Sequence, residues 1–171
     1  MGILICGMNG VGKSTLGRAL ASRMGYTFID NEELYFPKKD SVYDYADPRS
    51  KEEVMHVLES KIRENPRFIF AAVKGDYGGN LIKALDHIIL VEVPKDVRSQ
   101  RVRARSFQKF GEKISPGGAL YEKEQKWFSF VDRRPDDYVL AWLETIDCPV
   151  TRVDGTLPVE DNIRYILSVL S

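Results

Sequence analysis

Histidine and cysteine are nearly missing from this chain, with two of each among 171 residues. His56 and His87 stand far apart in sequence and the cysteines, Cys6 and Cys148, offer no zinc-like spacing, so a structural metal site is excluded. Two cysteines also make no disulfide framework. Cys6 lies in an apolar run and reads as core, and the chain reads as a reduced, cytoplasmic protein. A surplus of either charge is missing as well. The 25 lysines and arginines are matched by 25 aspartates and glutamates, whereas nucleic-acid binders carry a basic excess. No apolar run approaches the ~18 residues of a membrane helix. No basic segment precedes the first apolar run, as a signal peptide requires. Met1-Gly2 invites a myristoylation reading, but Cys6 stands where that motif takes serine or threonine. Nucleic acid and membrane are thereby set aside as partners.

What the chain does have is alternation. Ile3 to Cys6 is a short continuous apolar run, the mark of a strand buried on both faces. Lys13 to Met24 has helical spacing and Gly25 supplies a stop. Tyr26 to Ile29 is a second strand candidate, and Asn31 to Asp47 reads as irregular. Ser50 followed by Glu53 is a capping box that opens a helix through Ile62, ended by Asn65-Pro66. Further strands are expected within 67–73, 88–93 and 150–153, and further helices within 80–85, 97–110, 121–131 and 136–146 and after Pro158. Gly111 to Gly118 reads as a mobile loop. Strands and helices in this order predict an α/β fold with a parallel sheet covered on both sides, in one domain spanning 1–171.

The strongest local pattern is GMNGVGKST, residues 7–15. Gly7, Gly10, Gly12, Lys13 and Ser14 fit G-x-x-x-x-G-K-[ST] between a predicted strand and a predicted helix. Glycines let the backbone wrap around an anion and turn its N–H groups inward, and the helix start adds its positive dipole end. Lys13 reaches the outer phosphates, Ser14 offers a hydroxyl to Mg²⁺, and Thr15 lies near the inner phosphate. Asn9 and Val11 complete the loop. The expected cofactors are ATP and Mg²⁺, bound at the carboxyl end of the sheet.

Asp30, Glu32 and Glu33 follow the second strand on that same edge. A carboxylate there can act as general base for a substrate hydroxyl or hold a Mg²⁺-bound water, or it can simply cap a helix. From ICGMNGVGKSTLGRALASRMGYTFIDNEEL onward the chain resembles P-loop small-molecule kinases, the shikimate-kinase-like and nucleoside-monophosphate-kinase-like proteins. The resemblance implies a three-layer fold with five parallel strands in the order 2-3-1-4-5 and a mobile lid. It gives Asp30 the role of assisting Mg²⁺ and Glu32 that of binding the acceptor hydroxyl. The glutamate at that second position departs from the shikimate-kinase pattern.

VPKDVRSQRVRAR is similar to the segment before the lid of adenylate-kinase-like enzymes. The likeness implies that Arg101 packs on adenine and Arg105 reaches phosphate, while Arg98 and Arg103 read as solvated. Arg134-Pro135-Asp136-Asp137 resembles the element after that lid, whose arginine meets the transferring phosphoryl group; Arg133 is the choice under a shikimate-type reading. Asp154-Gly155-Thr156 resembles the loop that cups the adenine. Two departures stand out: Trp142 lies where the pattern has a further arginine, and the third strand ends in FIFAAVKGD without the expected aspartate or triple glycine. Lys74 and Asp76 stand there instead.

The resemblance is absent over 34–66, where an acceptor-binding insert (about 31–66) is expected. Tyr35, Lys38, Lys39, Tyr43, Tyr45 and Arg49 either grip an anionic acceptor and stack on it, or pack the flap down and face water. A lid is expected at about 106–135. The expected function is ATP- and Mg²⁺-dependent phosphoryl transfer to a small-molecule acceptor by a monomer or homodimer. The catalytic set is Lys13, Asp30, Glu32, Arg105 and Arg134, with Ser14 and Asp30 at the metal. The alternatives are a nucleotide-binding ATPase or switch acting on a protein partner, and a binding-only domain.

Overall fold

The computed structural model describes residues 1–37 and 43–171. Lys38 and Lys39, two of the candidate acceptor contacts, lie outside the described residues.

Five parallel strands form the sheet, in the order β2-β3-β1-β4-β5. They are β1 (Gly2–Cys6), β2 (Thr27–Asp30), β3 (Phe68–Ala71), β4 (His87–Glu92) and β5 (Val150–Asp154). The apolar runs explain the order. Ile3, Leu4, Ile5, Phe68, Ile69, Phe70, Ile88 and Ile89 are at most 1 % exposed, so both faces of the three inner strands are covered. Edge strand β5 instead alternates, with Thr151 and Val153 buried and Val150, Arg152 and Asp154 exposed.

Helix α1 (Lys13–Met24) ends at Gly25 and packs beside α8 (Val159–Leu170), which Pro158 opens. Helix α3 (Lys51–Glu64) starts at the expected capping box: Ser50 accepts from the Glu53 N–H and Glu53 accepts from the Ser50 N–H. It buries Val54 and Leu58 and packs on α4 (Gly79–Ala84). The remaining helices, α5 (Lys95–Phe110), α6 (Tyr121–Arg133) and α7 (Tyr138–Leu143), follow β4.

The structure corrects three expectations. Residues 31–35 are not irregular but form a short helix, α2 (Asn31–Tyr35), because Asp30 caps it by accepting from the Glu32 N–H. Gly111 to Gly118 is not a bare loop: Gly111–Ile114 is a 3-10 helix, and the Gly118 and Leu120 N–H groups bond to Ser115 and Lys113 carbonyls. Ile114 and Leu120 are thereby buried with Val102, Phe128 and Val131 in a second, smaller core. Arg98 is not solvated. It is 8 % exposed and its Nη2 lies 2.7 Å from Asp136 Oδ1, tying α5 to the chain after α6. Arg103 stays exposed and bonds Asp132 at 2.6 Å.

Tyrosines of the flap pack it down. Tyr43 and Tyr45 meet each other and Phe110 edge-on or tilted, with ring centroids 5.4–6.2 Å apart. The Tyr43 hydroxyl donates to fully buried Glu124 on α6 at 2.8 Å. Burial, then that carboxylate, push the Tyr43 phenol pKa up. Arg49 donates to the Leu34 carbonyl at 3.0 Å, bracing the flap from within. Both cysteines are free, and no helix among the described residues is long and apolar enough to cross a membrane.

Candidate active site

The loop from Gly7 to Gly12 joins β1 to α1 at the carboxyl end of the sheet. Its first N–H, on Gly7, donates to the Val73 carbonyl at 3.1 Å, which fastens it to the chain leaving β3. Gly10 has φ +84°, and a side chain there would run into the Arg98 carbonyl. Both the left-handed backbone and the close approach of α5 therefore demand glycine. Asn9, Ser14 and Lys13 are half-buried, Thr15 is exposed and Val11 is buried.

Lys13 turns back over the loop and donates from Nζ to the Met8 carbonyl at 2.9 Å. Its pKa is pushed down from 10.5 to about 8, chiefly by burial. Cys6 and Asp30 act on it in the opposite sense, while Arg134 and Arg105 add to the depression. Four residues widely separated in sequence thus bear on one ammonium. Beneath the loop, burial raises the Cys6 thiol to about 12, which makes it inert packing.

Arg134 is the arginine the fold brings to this loop. Its Nη1 donates to Asn9 Oδ1 at 2.6 Å, and its guanidinium lies 4.9 Å from the Phe130 ring and 4.7 Å from the Tyr138 ring. Burial lowers its pKa. Arg133 instead bonds the Ser129 carbonyl of its own helix. Arg105 points to the other side, with Nη2 2.8 and 2.9 Å from the two oxygens of Glu32. The Tyr45 hydroxyl donates to the same carboxylate at 3.2 Å. Asp30 is shielded, 9 % exposed at the side chain. Its Oδ1 accepts from the Glu32 N–H at 3.0 Å and its Oδ2 lies 3.4 Å from Arg18.

Arg101, one turn before Arg105, reaches the opposite half of the sheet and donates to the Gly155 carbonyl at 3.0 Å. A Cβ on Gly155 would lie 2.7 Å from the Val11 carbonyl oxygen, so the turn after β5 packs directly on the phosphate loop. Asp154 bends into its own turn and accepts from the Thr156 N–H and hydroxyl at 2.8 and 2.6 Å, which lowers its pKa. Buried Asn162 on α8 braces this turn through the Asp154 carbonyl at 2.8 Å. Sequence reasoning passed over Asn162, Tyr138 and the inward role of Arg98; only Asp136, its partner, stood in a recognised pattern.

No cluster of three or more metal-ligating side chains exists among the described residues. Ser14 and Asp30 carry hard oxygens of the kind magnesium takes, and in this structure the two Asp30 oxygens are engaged by the Glu32 N–H and by Arg18.

The sequence profile of the AAA domain family matches residues 3–114. Uncharacterized protein YqaC of Bacillus subtilis strain 168 is 29 % identical over 177 residues, covering 99 % of this chain and 97 % of that protein. Among solved structures, a gluconokinase from Sinorhizobium meliloti 1021 superposes with TM-score 0.55 and 17 % identity, over 98 % of this chain and 89 % of that one. A shikimate kinase from Aquifex aeolicus gives TM-score 0.51 and 19 % identity, over 99 % and 96 %. A sugar kinase from Janibacter sp. gives 0.54 and 16 %, over 99 % and 93 %. At these identities the structures speak for a shared P-loop kinase fold.

Proposed function

We propose that this chain, which belongs to the AAA domain family, is a phosphotransferase that moves the terminal phosphoryl group of ATP to a small molecule. The observation that carries the reading is the phosphate loop itself, with buried Lys13 turned back over it and Arg134 bonded to its Asn9. The fold shared with a gluconokinase, a shikimate kinase and a sugar kinase supports it.

Phosphoryl transfer spreads negative charge over three oxygens and asks for placed cations more than for covalent chemistry. Lys13 and Arg134 supply them from the two sides of the loop. Lys13 already sits where burial disfavours its charge, so an arriving phosphate satisfies it. Arg134 is held by two aromatic rings and one amide oxygen, with no carboxylate to compete for it among the described residues. Glu32 orients the acceptor hydroxyl once Arg105 turns from it to phosphate. Arg101 and the Gly155 turn receive the base. Ser14 and Asp30 would hold Mg²⁺, which when bound screens the phosphate charge.

The test is ADP formation from ATP alone and with a panel of small hydroxylated metabolites. Slow hydrolysis alone, a large acceleration by one acceptor, and loss of nucleotide affinity in Lys13→Ala are expected. Acceleration by a protein and by no small molecule would establish the ATPase or switch reading instead.

A further inference from the structure

Beyond Ala71 the chain leaves β3 through Ala72 and Val73, and the Val73 carbonyl is the one that accepts from Gly7. The next residue is Lys74, and its ammonium reaches the Tyr138 ring that also carries Arg134, the arginine bonded to Asn9 of the loop. Its Nζ lies 4.3 Å from the Tyr138 ring centroid and 3.4 Å from Asp76, and its side chain is 21 % exposed. The same Tyr138 ring carries Arg134 at 4.7 Å. One aromatic ring thus holds two cations beside the loop without neutralising either. Asp76 is shared, for Lys51 lies 3.0 Å from it. Lys51 and Lys74 therefore share one carboxylate, and Arg134 beside them rests on neutral groups.

The side of the sheet matters. The turn after β5 that meets Arg101 lies beyond β4, whereas Lys74 lies at the end of β3, between the phosphate loop and the acids after β2. A base bound at Gly155 leaves this half of the edge open to the second substrate.

We propose that Lys74 is an anion-recognition residue of the acceptor site and that the acceptor carries a carboxylate or phosphate besides the hydroxyl it offers. This rests on the phosphotransferase reading for the word acceptor. Asp76, divided between two lysines, yields Lys74 to an incoming anion at little cost. A neutral polyol gains no such charge pairing.

The experiment measures binding to the full chain saturated with Mg·ADP. Its probes are hydroxy acids, hydroxyalkyl phosphates and nucleoside monophosphates, each matched with its neutral alcohol or nucleoside. Members of one anionic class should bind and their neutral partners should not, which also separates carboxylate from phosphate. Lys74→Met should weaken that binding about tenfold or more, the worth of a hydrogen bond to a charged group. Lys74→Arg should retain most of it, and Asp76→Asn, which removes the competing carboxylate, should tighten it. Equal binding of the neutral partners, an unaltered Lys74→Met, or no binding by any probe overturns the proposal. ADP formation from ATP, followed separately, keeps the two readings apart. An acid that binds through Lys74 yet never speeds ADP formation leaves the anion site standing and removes the kinase. A neutral acceptor turned over equally by Lys74→Met does the reverse.

Discussion

Replacing Lys13 with methionine should make the nucleotide-free protein more stable. The side chain keeps its approximate length and loses its charge. Burial holds the Lys13 pKa near 8 instead of 10.5, so keeping that ammonium charged in the fold costs roughly 3 kcal/mol at pH 7. The substitution also strands the Met8 carbonyl, which now accepts from Nζ at 2.9 Å; an unsatisfied buried acceptor costs about 1–3 kcal/mol. The net expectation is a gain of about 1 kcal/mol at neutral pH. The sign with pH follows from linkage. Between pH 8 and 10.5 the unfolded chain holds a proton on Lys13 that the folded chain has released, so stability of the parent protein rises with pH there. By pH 9 about 1 kcal/mol of the cost is relieved. The advantage of Lys13→Met should accordingly shrink from pH 7 to pH 9. Cys6, whose thiol is raised from 9.0 to about 12, acts in the opposite sense only above pH 9, where the unfolded thiol ionises first. Urea denaturation of both proteins at pH 7, 8 and 9 reads this directly. Mg·ATP should stabilise the parent by mass action and leave the variant unmoved. A variant less stable than the parent at pH 7, together with a difference independent of pH up to 9, would refute the reasoning.

Three other substitutions separate structure from chemistry. Arg134→Met should slow ADP formation about a hundredfold or more, as for other lost electrostatic donors, while the Kd for Mg·ADP changes little; a slowed rate matched by equal loss of ADP affinity would argue against it. Gly155→Ala should destabilise the fold by about 1–3 kcal/mol, because the new methyl meets the Val11 carbonyl and Val91 and Val93 side chains at 2.7–2.8 Å; urea midpoints with and without nucleotide check both this and the expected loss of nucleotide affinity. Ser50→Ala breaks the capping box of α3 and should lower stability by about 1 kcal/mol with nucleotide binding unchanged.

Continuous apolar runs announced β1, β3 and β4, and the glycine–lysine spacing announced the loop, because in both cases the cause is local. A strand buried on two faces needs no partner to be recognised, and neither does a loop whose backbone must wrap an anion. Ser50 and Glu53 were legible for the same reason, being a bond between near neighbours. Asp30 was read for its carboxylate, with a helix cap as the alternative; the helix it caps was missed because Pro37 and the aromatics made the segment look irregular. The arginines of α5 show where local reading stops. Arg98, Arg101, Arg103 and Arg105 come from one helix and are chemically identical. What distinguishes them is the far end of each bond: Asp136, the Gly155 carbonyl, Asp132 and Glu32. Those partners are separated from them by 29 to 73 residues, and only tertiary packing around α5 brings them together. Likewise the glycines near 111–118 suggested a bare loop, while burial of Ile114 and Leu120 in the smaller core goes with a 3-10 helix there.

The partners of the charged candidates have something in common. Lys13 rests on a carbonyl, Arg134 on an amide oxygen and two rings, Lys74 on a ring and a shared aspartate. Arg105 does face a carboxylate of its own, but that pair is open to water, with 63 % and 37 % of the two side chains exposed. Exposed pairs of this kind contribute under about 1 kcal/mol. None of these cations is therefore locked in a buried ion pair, whose rupture would cost several kcal/mol. Arg98 differs in being itself buried, 10 % exposed at the side chain, and its bond to Asp136, 69 % exposed, ties α5 to the chain after α6. Weak or neutral partners fix the direction of a cation and still let it go to a phosphate oxygen, whose charge-assisted bond is the stronger one. The difference between Arg98, buried and tied to the chain after α6, and Arg134, resting on an amide oxygen and two rings, is thus visible in the kind of partner each one has.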